Sequence, residues 1–364
     1  MAATLSDISH NHISTQEFYM RRCLQLAGIA SGYTAPNPMV GALLVCEEKI
    51  IGEGYHRRYG QPHAEPNAIN SVKDKSLLSR STLYVNLEPC SHFGKTPPCA
   101  NLIVNSGIPR VVIGTFDPNP KVAGRGVKIL EDAGIEVVVG VLEAECRALN
   151  RRFFIYQEEK RPFVLLKWAQ TSDGYLDRVR TDNEKPPLSI SNEITRQLTH
   201  KMRSENQSIM VSTNTVLLDN PSLTVRNWSG KNPVRIALDR QGRIPKNYNL
   251  LNGRNQTFIF TGNPGENGHN LEFIPHTFDE NSLQTILNSI YKKGIHSVLV
   301  EGGAKLLQSF IEAGLWDEAH IEISQQKLCN GVKAPVLNAL PVISEQIQGH
   351  AWLHFKNSKP NFSQ

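Results

Sequence analysis

The sequence predicts two α/β domains in one chain of 364 residues. Three observations favour this fold class. The chain is longer than one hydrophobic core usually serves, and short apolar runs alternate with helical patterns in both halves. A charged segment, Gln157–Arg161, interrupts the pattern and is followed by Pro162. We therefore expect one domain over residues 1–156 and a second over residues 157–364.

The first half predicts a layered sheet. Ser14 and Glu17 form a possible capping box ahead of a helix over Thr15–Ser31. A further helix is expected to start at Ala64. The other predicted elements are a hairpin of Val40–Cys46 and Lys49–Gly54, strands Ser81–Leu87, Arg110–Thr115 and Ile135–Val139, a helix opened by Pro97 and Pro98, and helices Gly126–Ala133 and Leu142–Arg151.

The second half repeats the alternation of strands and helices. Residues 263–270 are rich in Gly, Asn and Pro and predict a surface loop. The predicted elements are strands Phe163–Ala169, Ser208–Val211, Val234–Asp239, Thr257–Phe260 and Ser297–Val300, and helices Asn192–Met202, Ser282–Lys292 and Ala304–Ala313.

Composition excludes several classes of protein. Hydrophobic residues make up 40% and charged residues 20% of the chain, as in soluble globular proteins. No apolar run of about 18 residues and no apolar leader is present, so neither a membrane span nor a signal peptide is predicted. Six cysteines in a chain this long need no disulfide framework, which favours a reduced, cytoplasmic protein. The net charge of +5 is small and scattered, so it fits an anionic small molecule at least as well as nucleic acid, which usually needs a clustered basic face.

The chemistry of the first half is indicated by a His-Cys-Cys set with a nearby carboxylate. His63-Ala64-Glu65 is followed by Cys90 and Cys99, each next to proline. Three N/S ligands leave the fourth corner of a zinc tetrahedron open for water. Glu65 is not needed as a ligand, and it is placed to take the water's proton and return it to a leaving amine.

Two alternatives remain open for these residues. The zinc-deaminase signature reads H-x-E and then P-C-x-x-C, whereas eight residues separate Cys90 from Cys99 here. His92 could complete a closed structural zinc site, or the His and Cys side chains could be packed in the core. The two cysteines are expected at strand-to-helix junctions, where backbone N–H groups favour a thiolate.

The longer pattern resembles the bifunctional deaminase–reductase family of riboflavin biosynthesis. The resemblance covers residues from about 15 to 340, and the eight-residue spacer is a hallmark of that family. It is carried by Pro36-Asn37-Pro38-Met39-Val40-Gly41, Gly52-x-Gly54-x-His56, the segment Cys90–Cys99 with Gly94-Lys95-Thr96-Pro97-Pro98, Asp117-Pro118-Asn119-Pro120 and Ala123-Gly124-Arg125-Gly126.

The resemblance implies a cytidine-deaminase-like α/β/α first domain with a zinc site. His63, Cys90 and Cys99 would bind zinc and Glu65 would move the proton. The substrate would be a diamino-hydroxy-phosphoribosylamino-pyrimidine that loses its 2-amino group. Its implied contacts are Asn37, His56, Lys95, Asp117 and Asn119. His56 and Lys95 suit a phosphate, while Asn37 and Asn119 could instead serve only to form Pro-Asn-Pro turns.

The residues of the second half carry a weaker signal of their own. Val300-Glu301-Gly302-Gly303 ends a predicted strand before a helix, a junction that can present backbone N–H groups to a phosphate or can simply be a tight turn. No G-x-G-x-x-G follows a strand, so a Rossmann domain is not expected. The pattern Leu165-Leu166-Lys167 says little by itself.

The resemblance implies a dihydrofolate-reductase-like second domain that uses NADPH to reduce the ribosyl group to ribityl. Pro187 and Ser189 depart from the family, in which a serine and a tryptophan are usual. The implied cofactor positions are Ala169, Ser189, Thr215, Asp219, Arg240 and the loop from Gly303, and the implied substrate positions are Arg203, Leu223, Arg226 and Glu301. A solvated surface role is the alternative for Arg203 and Arg226.

Two other functions compete with this interpretation. A nucleoside, guanine or tRNA-base deaminase with an unrelated second domain is disfavoured by the spacer and by Gly94-Lys95-Thr96-Pro97-Pro98. A zinc-stabilised RNA-binding module would need a basic, aromatic-rich face, whereas aromatics make up only 7% of this chain. We expect a small-molecule enzyme that assembles as a homo-oligomer and has no nucleic-acid or membrane partner.

Overall fold

A computed structural model describes residues 14–91, 97–119 and 122–357 of the protein. The chain forms two compact units that divide between Glu158 and Glu159. This division lies inside the charged segment Gln157–Arg161. None of the helices in the described ranges has the length and apolarity that crossing a membrane requires.

The first unit is built on a mixed five-stranded sheet of order β2-β1-β3-β4-β5. Strand β1 is antiparallel to β2 and β3, and β3, β4 and β5 are parallel to one another. The strands are β1 Gly41–Cys46, β2 Lys49–Tyr55, β3 Thr82–Val85, β4 Arg110–Ile113 and β5 Glu136–Val139, and the helices are α1 Thr15–Gly28, α2 Ala64–Ser71, α3 Cys99–Asn105, α4 Arg125–Asp132, α5 Glu143–Leu149 and α6 Arg151–Glu158.

Helices cover both faces of this sheet. Leu44 and Leu83 point into a core that includes residues of α2, α3 and α4, whereas their neighbours Leu43 and Tyr84 point into a second core with Met20 of α1. Successive strand residues face opposite sides, so strands buried on both faces are continuously apolar. This is the predicted α/β/α layering.

The second unit holds a nine-stranded sheet of order β11-β10-β9-β8-β12-β6-β13-β16-β15, and β14 pairs with β7 in a two-stranded sheet. Its helices are α7 Glu193–Glu205, α8 Thr213–Asp219, α9 Ser282–Lys292 and α10 Ala304–Glu312. Its strands are β6 Phe163–Gln170, β7 Tyr175–Asp177, β8 Ser208–Ser212, β9 Val234–Leu238, β10 Thr257–Thr261, β11 Leu271–Pro275, β12 Ser297–Glu301, β13 Glu318–Ile323, β14 Val332–Lys333, β15 Ile343–Ile347 and β16 His350–Lys356.

Some predicted elements need correction. The helix expected over Thr15–Ser31 ends at Gly28. The helix expected over Leu142–Arg151 is two helices that break at Asn150, because the Asn150 side chain bonds the Met39 backbone N–H and carbonyl at 2.8 and 2.9 Å. In the nine-stranded sheet, the strands that the sequence analysis did not predict are β11, β13, β15 and β16. β15, with sequence ISEQI, is largely exposed, so it lacks the apolar run that marks a strand.

Candidate active sites

The three predicted zinc ligands of the first unit lie close together, near the starts of two helices. His63 is the N-cap of α2, Cys99 is the first residue of α3, and Cys90 lies in the loop after β3. His63 Nδ1 is 3.7 Å from Cys90 Sγ and 3.4 Å from Cys99 Sγ. The three ligand atoms all lie within 4.8 Å of one another.

This donor set fits zinc. Zn–S and Zn–N bonds at tetrahedral angles place S and N donors roughly 3.6 Å apart, which matches the separations seen here. The Cys99 backbone N–H donates to Cys90 Sγ at 3.3 Å. The Cys99 side chain and His63 also bond this sulfur and lower the pKa of Cys90. The pKa of Cys99 is instead raised by its hydrogen bond to Cys90 and by burial, so these contacts favour the thiolate at Cys90.

Glu65 lies at the second position of α2, two residues after His63. It is 3% exposed, and burial raises its pKa to about 7. Its Oε2 atom has no hydrogen-bond partner among the described residues. A buried carboxylate normally has its oxygens bonded, so an oxygen without a partner beside three metal donors is typical of a group that handles protons in a site.

Glu88 organises the ligand loop, a role that the sequence did not reveal. This buried carboxylate accepts backbone N–H bonds from Asp117, Gly124, Gly126 and Val127 at 3.2, 3.0, 2.9 and 3.3 Å. It thereby caps the start of α4. Gly126 is required here, because a Cβ atom would lie 2.1 Å from the Pro89 carbonyl oxygen. The sequence feature that could have indicated this role is the position of Glu88, two residues before Cys90.

Two of the predicted substrate residues contact each other. Asn37 Nδ2 lies 3.2 Å from His56 Nε2, and His56 Nδ1 lies 3.1 Å from the Pro62 carbonyl oxygen. Burial lowers the pKa of His56, so the ring is neutral, with Nδ1–H donating to Pro62 and Nε2 accepting from Asn37. This arrangement suits orienting the Asn37 amide better than binding a phosphate.

The other predicted substrate residues lie in a turn or outside the described residues. The Asp117 carboxylate accepts the Asn119 N–H at 2.8 Å, and burial raises its pKa to about 6. Asn37 and Asn119 do form turns, since Asn37 N–H bonds Thr34 and the Asn119 carbonyl accepts Val122 N–H. Lys95 and His92 lie outside the described residues.

In the second unit, the two arginines that were predicted to bind the substrate phosphate both contact Thr224. The Arg203 guanidinium binds the Glu301 carboxylate bidentately at 2.9 and 2.6 Å and donates to the Thr224 carbonyl at 3.3 Å. Arg226 is exposed and donates to the Thr224 hydroxyl at 3.3 Å. Leu223, the remaining predicted substrate position, is buried at a positive φ of 53°.

The predicted strand–glycine–helix junction forms between β12 and α10. Gly302 and Gly303 have φ values of 85° and 83°. A Cβ atom on Gly303 would lie 2.3 Å from Ser212 Oγ, and one on Gly302 would lie 3.1 Å from Thr215. Thr215 and Gly303, two predicted cofactor positions, are therefore close together at the starts of α8 and α10. Hydroxyls and helix N-termini of this kind suit the phosphates of NADPH.

The remaining predicted cofactor positions are spread over several elements. Asp219 forms an ion pair with Arg180, which also donates to the Leu218 carbonyl at 2.9 Å. Ala169 lies on β6. Arg240 and Ser189 are exposed, as is Pro187.

Lys167 is a buried charged residue for which the sequence analysis predicted no role. It interrupts the apolar run of β6 and is 7% exposed. It pairs in register with Glu301 on β12, so it lies beside the predicted substrate glutamate. Its pKa is lowered by burial, and Glu301 and Glu322 oppose this shift. A charged residue inside an apolar strand was the available signal.

Comparison with known proteins relates both units to one family. Residues 13–115 match the cytidine and deoxycytidylate deaminase zinc-binding region, and residues 162–324 match the RibD C-terminal domain. The riboflavin biosynthesis protein RibD of Aquifex aeolicus is 41% identical over 322 residues, which cover 86% of this chain and 88% of that protein. The chain belongs to the RibD family.

Solved RibD structures share the whole fold. The deaminase/reductase of Thermotoga maritima is 37% identical with a TM-score of 0.84, covering 94% of this chain and 99% of that one. Acinetobacter baumannii RibD is 30% identical, also with a TM-score of 0.84, covering 95% and 99%. As a member of this family, the chain is a bifunctional deaminase and reductase of riboflavin biosynthesis with zinc and NADPH as cofactors. The predicted family, fold, activities and cofactors are thus confirmed.

Proposed function

We propose that the first domain removes the 2-amino group of a 2,5-diamino-6-ribosylamino-4(3H)-pyrimidinone 5′-phosphate by hydrolysis. The observation that carries this proposal is the Glu65 carboxylate, buried beside the His63, Cys90 and Cys99 donors. These three side chains would hold the zinc ion, which activates water for attack on the ring carbon. Glu65 would accept a proton from the attacking water and return it to the departing amine.

Substrate recognition in this domain rests on the polar groups around the donors. Asn37, whose amide is held by His56, would read an edge of the pyrimidine. Asp117 and Asn119 would contribute carboxylate and amide groups from the neighbouring turn. Lys95 remains our candidate for the phosphate, because an ammonium group complements its charge.

We propose that the second domain reduces the ribosyl group of the deaminated product to ribityl. NADPH supplies the reducing equivalent. Its phosphates would lie at the junction of Thr215 and Gly303, with Ala169, Ser189, Asp219 and Arg240 as further contacts. Arg203 and Arg226 would hold the substrate phosphate, since the planar guanidinium fork matches phosphate oxygens. Glu301 and Leu223 would complete the substrate site.

The remaining expectations stay proposals. We propose domain limits of 1–156 and 157–364, a homo-oligomeric assembly, and a cytoplasmic enzyme whose partner is the phosphoribosyl-pyrimidine alone, without nucleic acid or membrane.

The direct test is incubation of the protein with the diaminopyrimidine ribotide, zinc and NADPH. Ammonia release and NADPH oxidation should both occur, in equal final amounts. Ammonia release without any NADPH oxidation would contradict the reductase assignment. NADPH oxidation without ammonia release would contradict the proposed order of steps.

A further inference from the structure

Glu322 is a buried carboxylate of the second domain that no predicted role covers. It lies on β13 and is 0% exposed. One of its oxygens accepts the Ser191 hydroxyl at 2.6 Å, and the other accepts the Thr195 hydroxyl at 2.6 Å and faces His350 Nδ1 at 2.7 Å. Burying a charge is costly unless it is paired and hydrogen-bonded, and these contacts supply that compensation.

The same carboxylate faces the Lys167 ammonium. Lys167 Nζ lies 4.0 Å from Glu322 Oε2, across the parallel pairing of β6 with β13. Glu301 lies on the other neighbouring strand, directly in register with Lys167. Lys167 is therefore placed between two carboxylates that come from strands on either side of it.

Two cationic and two anionic side chains lie close together here, with His350 beside Glu322. Arg203 and Lys167 are the two cations, and Glu301 and Glu322 are the two anions. Burial disfavours ionisation of Glu322, but Lys167 and the hydrogen bonds from Ser191, Thr195 and His350 outweigh it and lower its pKa. Without the Glu322 charge, the buried Lys167 and the largely buried Arg203 would share one carboxylate, that of Glu301.

We propose that Glu322 is a positioning residue of the reductase, which holds the Lys167 ammonium charged and beside Glu301 at the substrate site. Through Ser191 and Thr195 the same carboxylate ties the start of α7, and the segment that carries Ser189, to β13. The inference rests on the proposed reductase function and extends it to a residue outside the predicted substrate and cofactor positions.

The test compares Glu322→Gln with Glu318→Gln in the full chain. Glu318 lies four residues away on β13, is also buried and approaches His320 Nε2 at 3.9 Å.

The groups around Lys167 are Glu301 on β12, Arg203 on α7, and Glu322 with the register neighbour His320 on β13. An opposite charge within about 4–6 Å shifts a pKa by about 1–3 units.

Glu322→Gln should therefore move the alkaline limb of reductase kcat/KM towards lower pH by about one unit. At pH values above that limb, kcat/KM of the variant should be about tenfold lower than kcat/KM of the wild type. Glu322→Asp, which keeps the charge, should retain the wild-type limb, and Glu318→Gln should leave it unmoved. Deamination by the same chains should be unchanged, because that site lies in the other unit. Thermal unfolding of each variant, compared with the wild type, reports whether the reductase domain is folded.

Two results would overturn the inference: an unshifted limb in Glu322→Gln, or an equal shift in Glu318→Gln. If Glu322→Gln does not fold, the limb of Glu322→Asp decides, because loss of the wild-type limb despite the retained charge would also contradict it. A wild-type protein without NADPH-dependent reduction would instead contradict the proposed function.

Discussion

The two domains handle buried charge in opposite ways. In the deaminase domain, His63, Cys90 and Cys99 crowd together, and Glu65 Oε2 lacks a hydrogen-bond partner among the described residues. In the reductase domain, Arg203 is paired with Glu301 and Lys167 faces Glu322. The first site concentrates donors that suit a cation, whereas the second balances its charges within the protein. Substitutions should accordingly abolish chemistry in the first and weaken it by degrees in the second.

The largest effect is expected at the zinc ligands. Cys90→Ser should lower zinc content well below one ion per chain and abolish deamination, because the variant loses one thiolate of the proposed ligand set. Zinc content by elemental analysis and ammonia release measure both. Cys329→Ser, at an exposed cysteine, is the matched control and should change neither. Full zinc occupancy with normal deamination in Cys90→Ser would refute the ligand set.

The next effect separates the proton carrier from the ligands. Glu65→Ala should keep its zinc and lose deamination by about 10²–10⁴-fold, the usual contribution of general acid–base catalysis. Reduction of the deaminated intermediate should continue at the wild-type rate. If both activities disappeared together, the change would reflect misfolding or a shared site, and the contrast between the two domains would fail.

A smaller effect is expected at Arg226, one of the two arginines proposed to bind the substrate phosphate. Arg226→Ala should reduce reductase kcat/KM by about 10–100-fold, because charge-assisted bonds to phosphate contribute roughly 1.5–3 kcal/mol each. Arg226→Lys should restore only part of it, since the ammonium keeps the charge but not the fork. Steady-state kinetics measure this, with the exposed Arg254→Ala as control. Unchanged kinetics in Arg226→Ala would make it a solvated surface charge.

The smallest effect concerns pH and stability. Burial lowers the pKa of His296 in the reductase domain to about 4, below its usual value of about 6.5. The folded state therefore binds this proton less readily than the unfolded chain, and the stability that His296 contributes above pH 6.5 is lost as pH falls towards 4. Between pH 7 and pH 5 the loss should be about 2 kcal/mol.

Denaturant unfolding of the wild type and His296→Gln at both pH values checks this. The variant should lack that part of the pH dependence. An identical pH dependence in the two proteins would show that His296 does not contribute it.

The sequence predicted the parts of the molecule that depend on local pattern. The apolar runs of β6, β8 and β12 predicted the central strands. His63, Cys90 and Cys99, predicted as zinc ligands from their residue types and their proline neighbours, do lie close together. Ser14 indeed accepts the Glu17 N–H at 3.2 Å as an N-cap, because a cap involves only neighbouring residues.

Contacts set by sheet register were beyond such patterns. Thr195 and Glu322 are 127 residues apart in sequence, and Arg203 and Glu301 are 98 apart. Nothing local to Glu322 indicates that it faces Lys167, because that contact depends on which strands lie side by side. For the same reason the role of Glu88 could not be predicted, because its four backbone N–H partners lie 29 to 39 residues later in the chain.

The central claim is that one chain performs two reactions at separate sites, with deamination first. Its most direct test is Glu65→Ala supplied with NADPH and either the diamino ribotide or its deaminated product. We predict NADPH oxidation at the wild-type rate with the deaminated product and almost none with the diamino ribotide. Rapid NADPH oxidation on the diamino ribotide, without ammonia release, would contradict the claim.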